Sequence, residues 1–203
     1  MTESTLISNF NLSFPYKDTL RRLGYAGLAE PDKKTGLFIK SVADESLTII
    51  EPRGLYRICE IAPGRDSVKA NGFMLESIYL RNLLKNCNIA VFMAVTVGND
   101  ICAKIENYMS AEPSKGVVLD ASASELAESA MEKLHNMIKN IGLQKGYRTT
   151  IRYSPGYKDF GLHNQLVFDK ILDLNRIGVQ ITPSYMLKPE KSITAIAGWE
   201  KNI

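Results

Sequence analysis

Ile89-Ala90-Val91-Phe92-Met93-Ala94-Val95-Thr96-Val97 is the longest apolar run in the chain, free of charge and rich in β-formers. It is far too short to span a bilayer, and its composition suits a central strand covered on both faces. Gly98 and Asn99 then turn the chain into a predicted helix with Ile101, Ile105 and Met109 at every fourth position. Upstream, Leu55 to Ile61 reads as a strand, and Leu75, Ile78, Tyr79 and Leu83 repeat at helical spacing. Further out, Tyr16 to Leu23 reads as a short helix stopped by Gly24. Asp32 is placed to cap a second helix carrying Leu37, Phe38, Val42 and Leu47, ended by Pro52.

Downstream, the strongest helix is expected from about Ser122. Ser122 and Glu125 have capping-box spacing, and Leu126, Ala130, Leu134, Met137 and Ile141 form one buried stripe. Tyr147, Thr149, Ile151 and Tyr153 alternate as a strand. A turn follows, then a helix from Leu166 to Arg176 stopped by Gly178, then two short strands. Strands and helices mix without regular βαβ alternation. That predicts an α+β fold around an antiparallel or mixed sheet. No repeat or Gly/Ser linker divides the chain, so one domain is expected over residues 1–203, with a looser helical arm over 1–53 and a core over 54–203.

The 203 residues are 45% hydrophobic with a net charge of +3, enough to bury a sizeable core and without the basic runs of a nucleic-acid binder. No two of the 14 glycines are separated by a single residue, which removes the GxG dinucleotide fingerprint. Gly156 and Gly161 have P-loop spacing, but Leu162 follows where Lys is required. Cys59, Cys87 and Cys102 are odd in number and include no CxxC, and His135 and His163 are the only histidines. The expectation is reduced, packed thiols and no zinc cluster. With no basic-then-apolar leader, a cytoplasmic location and no membrane contact are expected.

The segment with most chemistry is Arg152-Tyr153-Ser154-Pro155-Gly156-Tyr157-Lys158-Asp159-Phe160. Pro155–Gly156 is the preferred central pair of a type II turn, because Pro presets φ and Gly accepts the positive φ that follows. Such a turn brings the Arg152 guanidinium near the Tyr157 ring. The guanidinium pairs with carboxylates in two parallel bonds, and the ring can stack on a base or attract a cation such as a sulfonium. Glu125, Glu128 and Glu132 share a helix face and could meet an ammonium group or ribose hydroxyls. Each feature also has a plain reading, as a surface turn and a solvated helix face.

RYSPGY at 152–157, with Asp159-Phe160-Gly161-Leu162 and Gln165, resembles the signature of the activation domain of cobalamin-dependent methionine synthase. The resemblance continues through Ile177-Gly178-Val179, Thr182, Ser184, Met186, Pro189 and Lys191-Ser192-Ile193-Thr194. Upstream, Met93 to Gly98 and Leu119 to Ala123 resemble short stand-alone members, so that about two-thirds of the chain is covered.

The resemblance implies an activation-domain-like fold that binds S-adenosylmethionine without a Rossmann cradle. It offers that methyl donor to an oxidised cobalamin during reductive reactivation. By position, Arg152 would bind the methionyl carboxylate. Ser154, Pro155, Gly156 and Tyr157 would contact the adenosine, and Glu128 would be the acidic helix residue at the ligand. The larger members close the ligand with an aromatic-bearing hairpin after the KS segment. This chain ends at Ile203, so that wall is expected to be missing or supplied by another subunit, with Tyr185 as a candidate local substitute. The N-terminal acid that pairs with the ligand's ammonium in the large enzymes has no counterpart here.

No DxHxxG cobalamin motif is present, and the length is too small for the folate and homocysteine barrels. The implied role is therefore an accessory subunit with no complete active site of its own. Its partners would be a cobalamin-bearing methionine synthase or corrinoid protein and a flavodoxin-type or other electron donor. The alternative is a non-catalytic adaptor that docks on a cobalamin protein without binding S-adenosylmethionine. An ordinary methyltransferase is disfavoured, since no base is evident.

Overall fold

A computed structural model describes residues 3–8, 10–25 and 30–201; both ends of the expected 1–203 span lie outside it. The run at 89–97 becomes β5 (Cys87–Thr96), which is the middle of the molecule. It pairs antiparallel on one side with β2 (Arg53–Pro63) and on the other with β9 (Ser192–Lys201). Ala90, Phe92 and Ala94 enter one core cluster with Phe168, Ile171 and Leu172, while Val91, Met93 and Val95 enter another with Ala130, Met131, Leu134 and Ile138. Alternation therefore places successive side chains beneath different helices, which is why the whole run is apolar.

The sheet order is β4-β3-β2-β5-β9-β6, with β1 (Thr5–Ile7) added to the edge of β2. β3 (Ser67–Ala70) and β4 (Phe73–Glu76) form a hairpin, and β6 (Tyr147–Thr149) pairs with β9. All these pairings are antiparallel, so the α+β expectation holds. The helices are α1 (Tyr16–Arg22), α2 (Lys33–Ile49), α3 (Ile78–Leu83), α4 (Asp100–Ala111), α5 (Pro113–Gln144) and α6 (Gln165–Leu172). The Asp32 carboxylate caps α2, accepting from the Lys34 and Thr35 backbone N–H groups at 2.9 and 3.1 Å. A third core cluster joins Ile39 and Val42 of α2 to Ile101 and Ile105 of α4 and Leu119 and Leu126 of α5.

Several boundaries differ from expectation. Leu75 lies in β4 rather than on a helical stripe, because Asn71 and Gly72 take φ of 49° and 89°, the pair of positive values that a two-residue hairpin turn requires. α5 begins at Pro113, not near Ser122. Proline fits the first helical position, and the Ser122 hydroxyl lies inside the helix, donating to the Val118 carbonyl at 2.7 Å. The strand expected through Tyr153 stops at Thr149; Tyr153 returns only as an isolated bridge to Ile196. The helix expected over 166–176 breaks at Asp173, which adopts a φ of 57° between α6 and a 3-10 turn at Leu174–Ile177. Of the C-terminal strands, β7 (Gln180–Ile181) and β8 (Leu187–Lys188) pair only with each other, and β9 is a long inner strand.

Candidate functional site

After β6 the chain crosses β9 at the Tyr153–Ile196 bridge, with Tyr153 N–H donating to Ile196 O and Ile196 N–H returning to Tyr153 O, both at 2.8 Å. That crossing directs Arg152 towards α5 and starts the turn above the sheet. Gly156 takes a φ of 97°, the positive value expected of its place in the Pro-Gly turn. Its N–H donates to Phe160 O at 2.6 Å, and Phe160 N–H donates back to Tyr157 O at 2.9 Å. The Tyr153 hydroxyl donates to the same Tyr157 carbonyl at 2.8 Å. Beneath, the Tyr153 and Phe160 rings stack 5.8 Å apart at 13°, with Phe160 fully buried. Burial, and then the nearby charge of Asp159, push the Tyr153 phenol above its usual pKa, so it remains a donor at neutral pH.

The turn forms one wall of a cleft of about 530 Å³, within the roughly 300–1,000 Å³ typical of small-molecule sites. Glu128, Arg152, Ser154, Pro155 and Tyr157 line it, as do Gln165, Leu187, Ser192, Ile193 and Thr194. Arg152 Nη2 lies 2.9 Å from Glu128 Oε2, and Arg152 Nε is 3.7 Å from Glu132 Oε2. Tyr157 is 63% exposed, leaving its ring free for a ligand. At the opposite wall, the Thr194 hydroxyl donates to Gln165 Oε1 at 2.6 Å, so the amide N–H₂ is what Gln165 has left to offer.

Of the expected site residues, five line this cleft together. Gly156 supplies the backbone geometry instead: a Cβ there would stand 3.0 Å from Leu162 Cδ2. Tyr185 lines a second cleft, of about 730 Å³, which shares Gln165, Leu187 and Ser192 with the first. Glu125 is engaged elsewhere, accepting from Arg22 Nε at 2.7 Å. Gln165, Ser192 and Thr194 belong to the sequence pattern but not to the expected site residues. Their signal is in register: β9 pairs Ser192 and Thr194 with Thr96 and Ala94, setting the KS segment beside α6. Lys191 is anchored away from the first cleft, on Asp120 at 2.7 Å and Ser124 at 3.0 Å.

Cys59 and Cys87 are buried, and desolvation pushes the Cys87 thiol up to about 11, so neither is an activated nucleophile. Among the described residues, no group of three or more His, Cys, Asp or Glu side chains could hold a metal ion, and no helix is long and apolar enough to cross a membrane. A guanidinium, a carboxylate, an open tyrosine face and amide and hydroxyl groups remain. That set fits an amino-acid zwitterion joined to a flat ring.

The chain is thus an α+β domain built on an antiparallel sheet, with a cleft of small-molecule size and no GxG glycine-rich loop. The chain belongs to the family described as vitamin B12 dependent methionine synthase, activation domain, whose model matches residues 82–202. Among solved structures it is similar to a crystal structure of the MetH reactivation domain bound to AdoHcy, at 14% identity and a TM-score of 0.69, covering 98% of this chain and 79% of that one. No curated protein sequence matches the chain.

Proposed function

We propose that the cleft between α5 and the 152–157 turn binds S-adenosylmethionine, and that the chain serves the reductive reactivation of a cobalamin-bearing methionine synthase or related corrinoid protein. The observation that carries this reading is the convergence of Arg152, Glu128 and the Ser154–Tyr157 turn on one cleft, in a chain of this family. The related reactivation domain, bound to AdoHcy, supports it. In this reading the Arg152 fork takes the ligand's carboxylate and Glu128 its ammonium or ribose hydroxyls. The turn and Tyr157 take the adenosine, leaving the sulfonium between the charged and aromatic ends. The partner's cobalamin and a separate electron donor supply the methyl-accepting chemistry. The work of this chain is positioning, which needs no general acid or base.

Calorimetry with S-adenosylmethionine tests the reading directly. Arg152→Ala removes one or two charge-assisted bonds of about 1.5–3 kcal/mol each, so affinity should fall at least about tenfold. The melting temperature without ligand should stay near wild type. Unchanged affinity would remove Arg152 from the site. One observation favours the adaptor reading: Arg152 already has a partner in Glu128, so a ligand must share or displace that pair. A thermal shift separates the two, since a ligand that binds only the native state raises the melting temperature by mass action. No shift at millimolar S-adenosylmethionine, with or without the cobalamin partner, decides for the adaptor.

A further inference from the structure

The binding turn is tied to a part of the chain that the family match does not reach. The match begins at residue 82, whereas Ser77 and Tyr79 stand before it, at the start of α3. The Ser77 hydroxyl donates to Asp159 Oδ1 at 2.7 Å, and the Tyr79 backbone N–H donates to Asp159 Oδ2 at 3.1 Å. Both carboxylate oxygens are therefore committed to that helix start. Next to Asp159, Lys158 takes a φ of 48°, and its ammonium lies 3.5 Å from the centroid of the Tyr79 ring. The other side of the connection is aromatic: Tyr79 packs on Tyr153 with centroids 4.8 Å apart, and the Tyr153 hydroxyl holds Tyr157 O. Two routes thus run from Tyr79 to Tyr157, one through Lys158 and Asp159 and one through Tyr153.

We infer that Asp159 is a positioning residue of the binding turn. Held by Ser77 and Tyr79, it fixes the loop that carries Gly156 and Tyr157 without itself lining the cleft. The consequence for binding rests on the ligand reading above. Its physical basis is preorganisation: a loop ordered in advance does not lose its conformational freedom when the ligand arrives. Hydrogen bonds from a serine hydroxyl and a backbone N–H to a carboxylate are of the stronger, charge-assisted kind, and none of Ser77, Tyr79 and Asp159 lines the cleft. Asp159 could alternatively serve only as a second cap for α3, beside Ser77, which accepts from Leu80 N–H at 2.9 Å. A cap alone would leave ligand affinity untouched.

The test uses the full chain with Asp159→Ala and the milder Asp159→Asn. Amide exchange reads the turn without any ligand, through Gly156 and Phe160, whose N–H groups close it. Calorimetry with S-adenosylmethionine and with its decarboxylated analogue reads the site. In Asp159→Ala, the Gly156 and Phe160 amides should exchange about tenfold faster, with β5 amides unchanged, and both ligands should bind about tenfold more weakly. Asp159→Asn, keeping one acceptor, should fall between. The equal loss for both ligands is the signature of the turn, because Arg152→Ala should weaken only the ligand that carries a carboxylate. Wild-type exchange at Gly156 and Phe160 overturns the inference. So does a uniform rise that includes β5, which would make Asp159 a support of the whole fold, and so does a loosened turn with unchanged affinity. Should the wild-type chain bind neither ligand, the ligand reading fails, and exchange alone decides whether Asp159 holds the turn.

Discussion

At one end of the cleft Arg152 stands between two partly exposed glutamates; at the other, Tyr153 and Phe160 stack beneath the Pro155–Gly156 turn. Exposed ion pairs contribute roughly 0–1 kcal/mol, since solvent screens them and each side chain loses freedom when held. A buried aromatic contributes several times that. The charged end can therefore exchange Glu128 for a ligand's carboxylate at little cost. The aromatic end cannot rearrange without disturbing the core. The cleft combines a fixed aromatic wall with an adjustable charged one; in the proposed reading the first places the ligand's ring and the second recognises its charges.

The sharpest way to break this comparison is Phe160→Ala. Phe160 is fully buried and also meets Phe168, which itself packs on Phe92 of β5. Truncation should cost about 3–5 kcal/mol of global stability, measured by urea unfolding. Arg152→Ala should leave the same measurement almost unmoved. If the two variants unfold at similar urea concentrations, the two ends are not held differently. A smaller and more local effect is expected of Gly156→Ala. Its φ of 97° is strained for any residue with a Cβ, and that Cβ would meet Leu162 Cδ2 at 3.0 Å. The expected cost is about 1–2 kcal/mol, with faster exchange at Phe160 and weaker binding of S-adenosylmethionine. Wild-type stability in that variant would mean that the turn has room to adapt.

These two ends were unequally legible in the sequence. The Pro155–Gly156 turn could be read because its chemistry is local: each residue constrains its own φ. The core strand could be read because composition alone marks burial. Glu128 could be placed on the right helix but not against Arg152, since a contact across 24 residues depends on where β9 and α5 lie in space. The α5 start lies earlier than expected because Ser122 and Glu125 have the spacing of a capping box, whereas the Ser122 hydroxyl bonds to the carbonyl four residues back and stays helical. The Asn71–Gly72 pair is a hairpin signal in the sequence, masked by the coincidental helical spacing of Leu75 with Ile78 and Tyr79. Asp159 shows no signal of its role, since its partners lie about eighty residues away on α3.

The smallest predicted effect probes the adjustable wall alone. Glu132 Oε2 lies 3.7 Å from Arg152 Nε, its Oε1 lies 3.9 Å from Lys139 Nζ, and its side chain is half exposed. It is too far for a good hydrogen bond, so its influence on Arg152 is electrostatic. Glu132→Gln removes one negative charge beside the guanidinium while keeping the side chain's size. The site becomes more positive, and a ligand's carboxylate meets less competition for Arg152. Affinity for S-adenosylmethionine should therefore rise by about two- to threefold at low salt, and the difference should fade as added salt screens it. The sign is the informative part. Weaker binding in Glu132→Gln would show that Glu132 orients Arg152, and the charged end would then be as preset as the aromatic one.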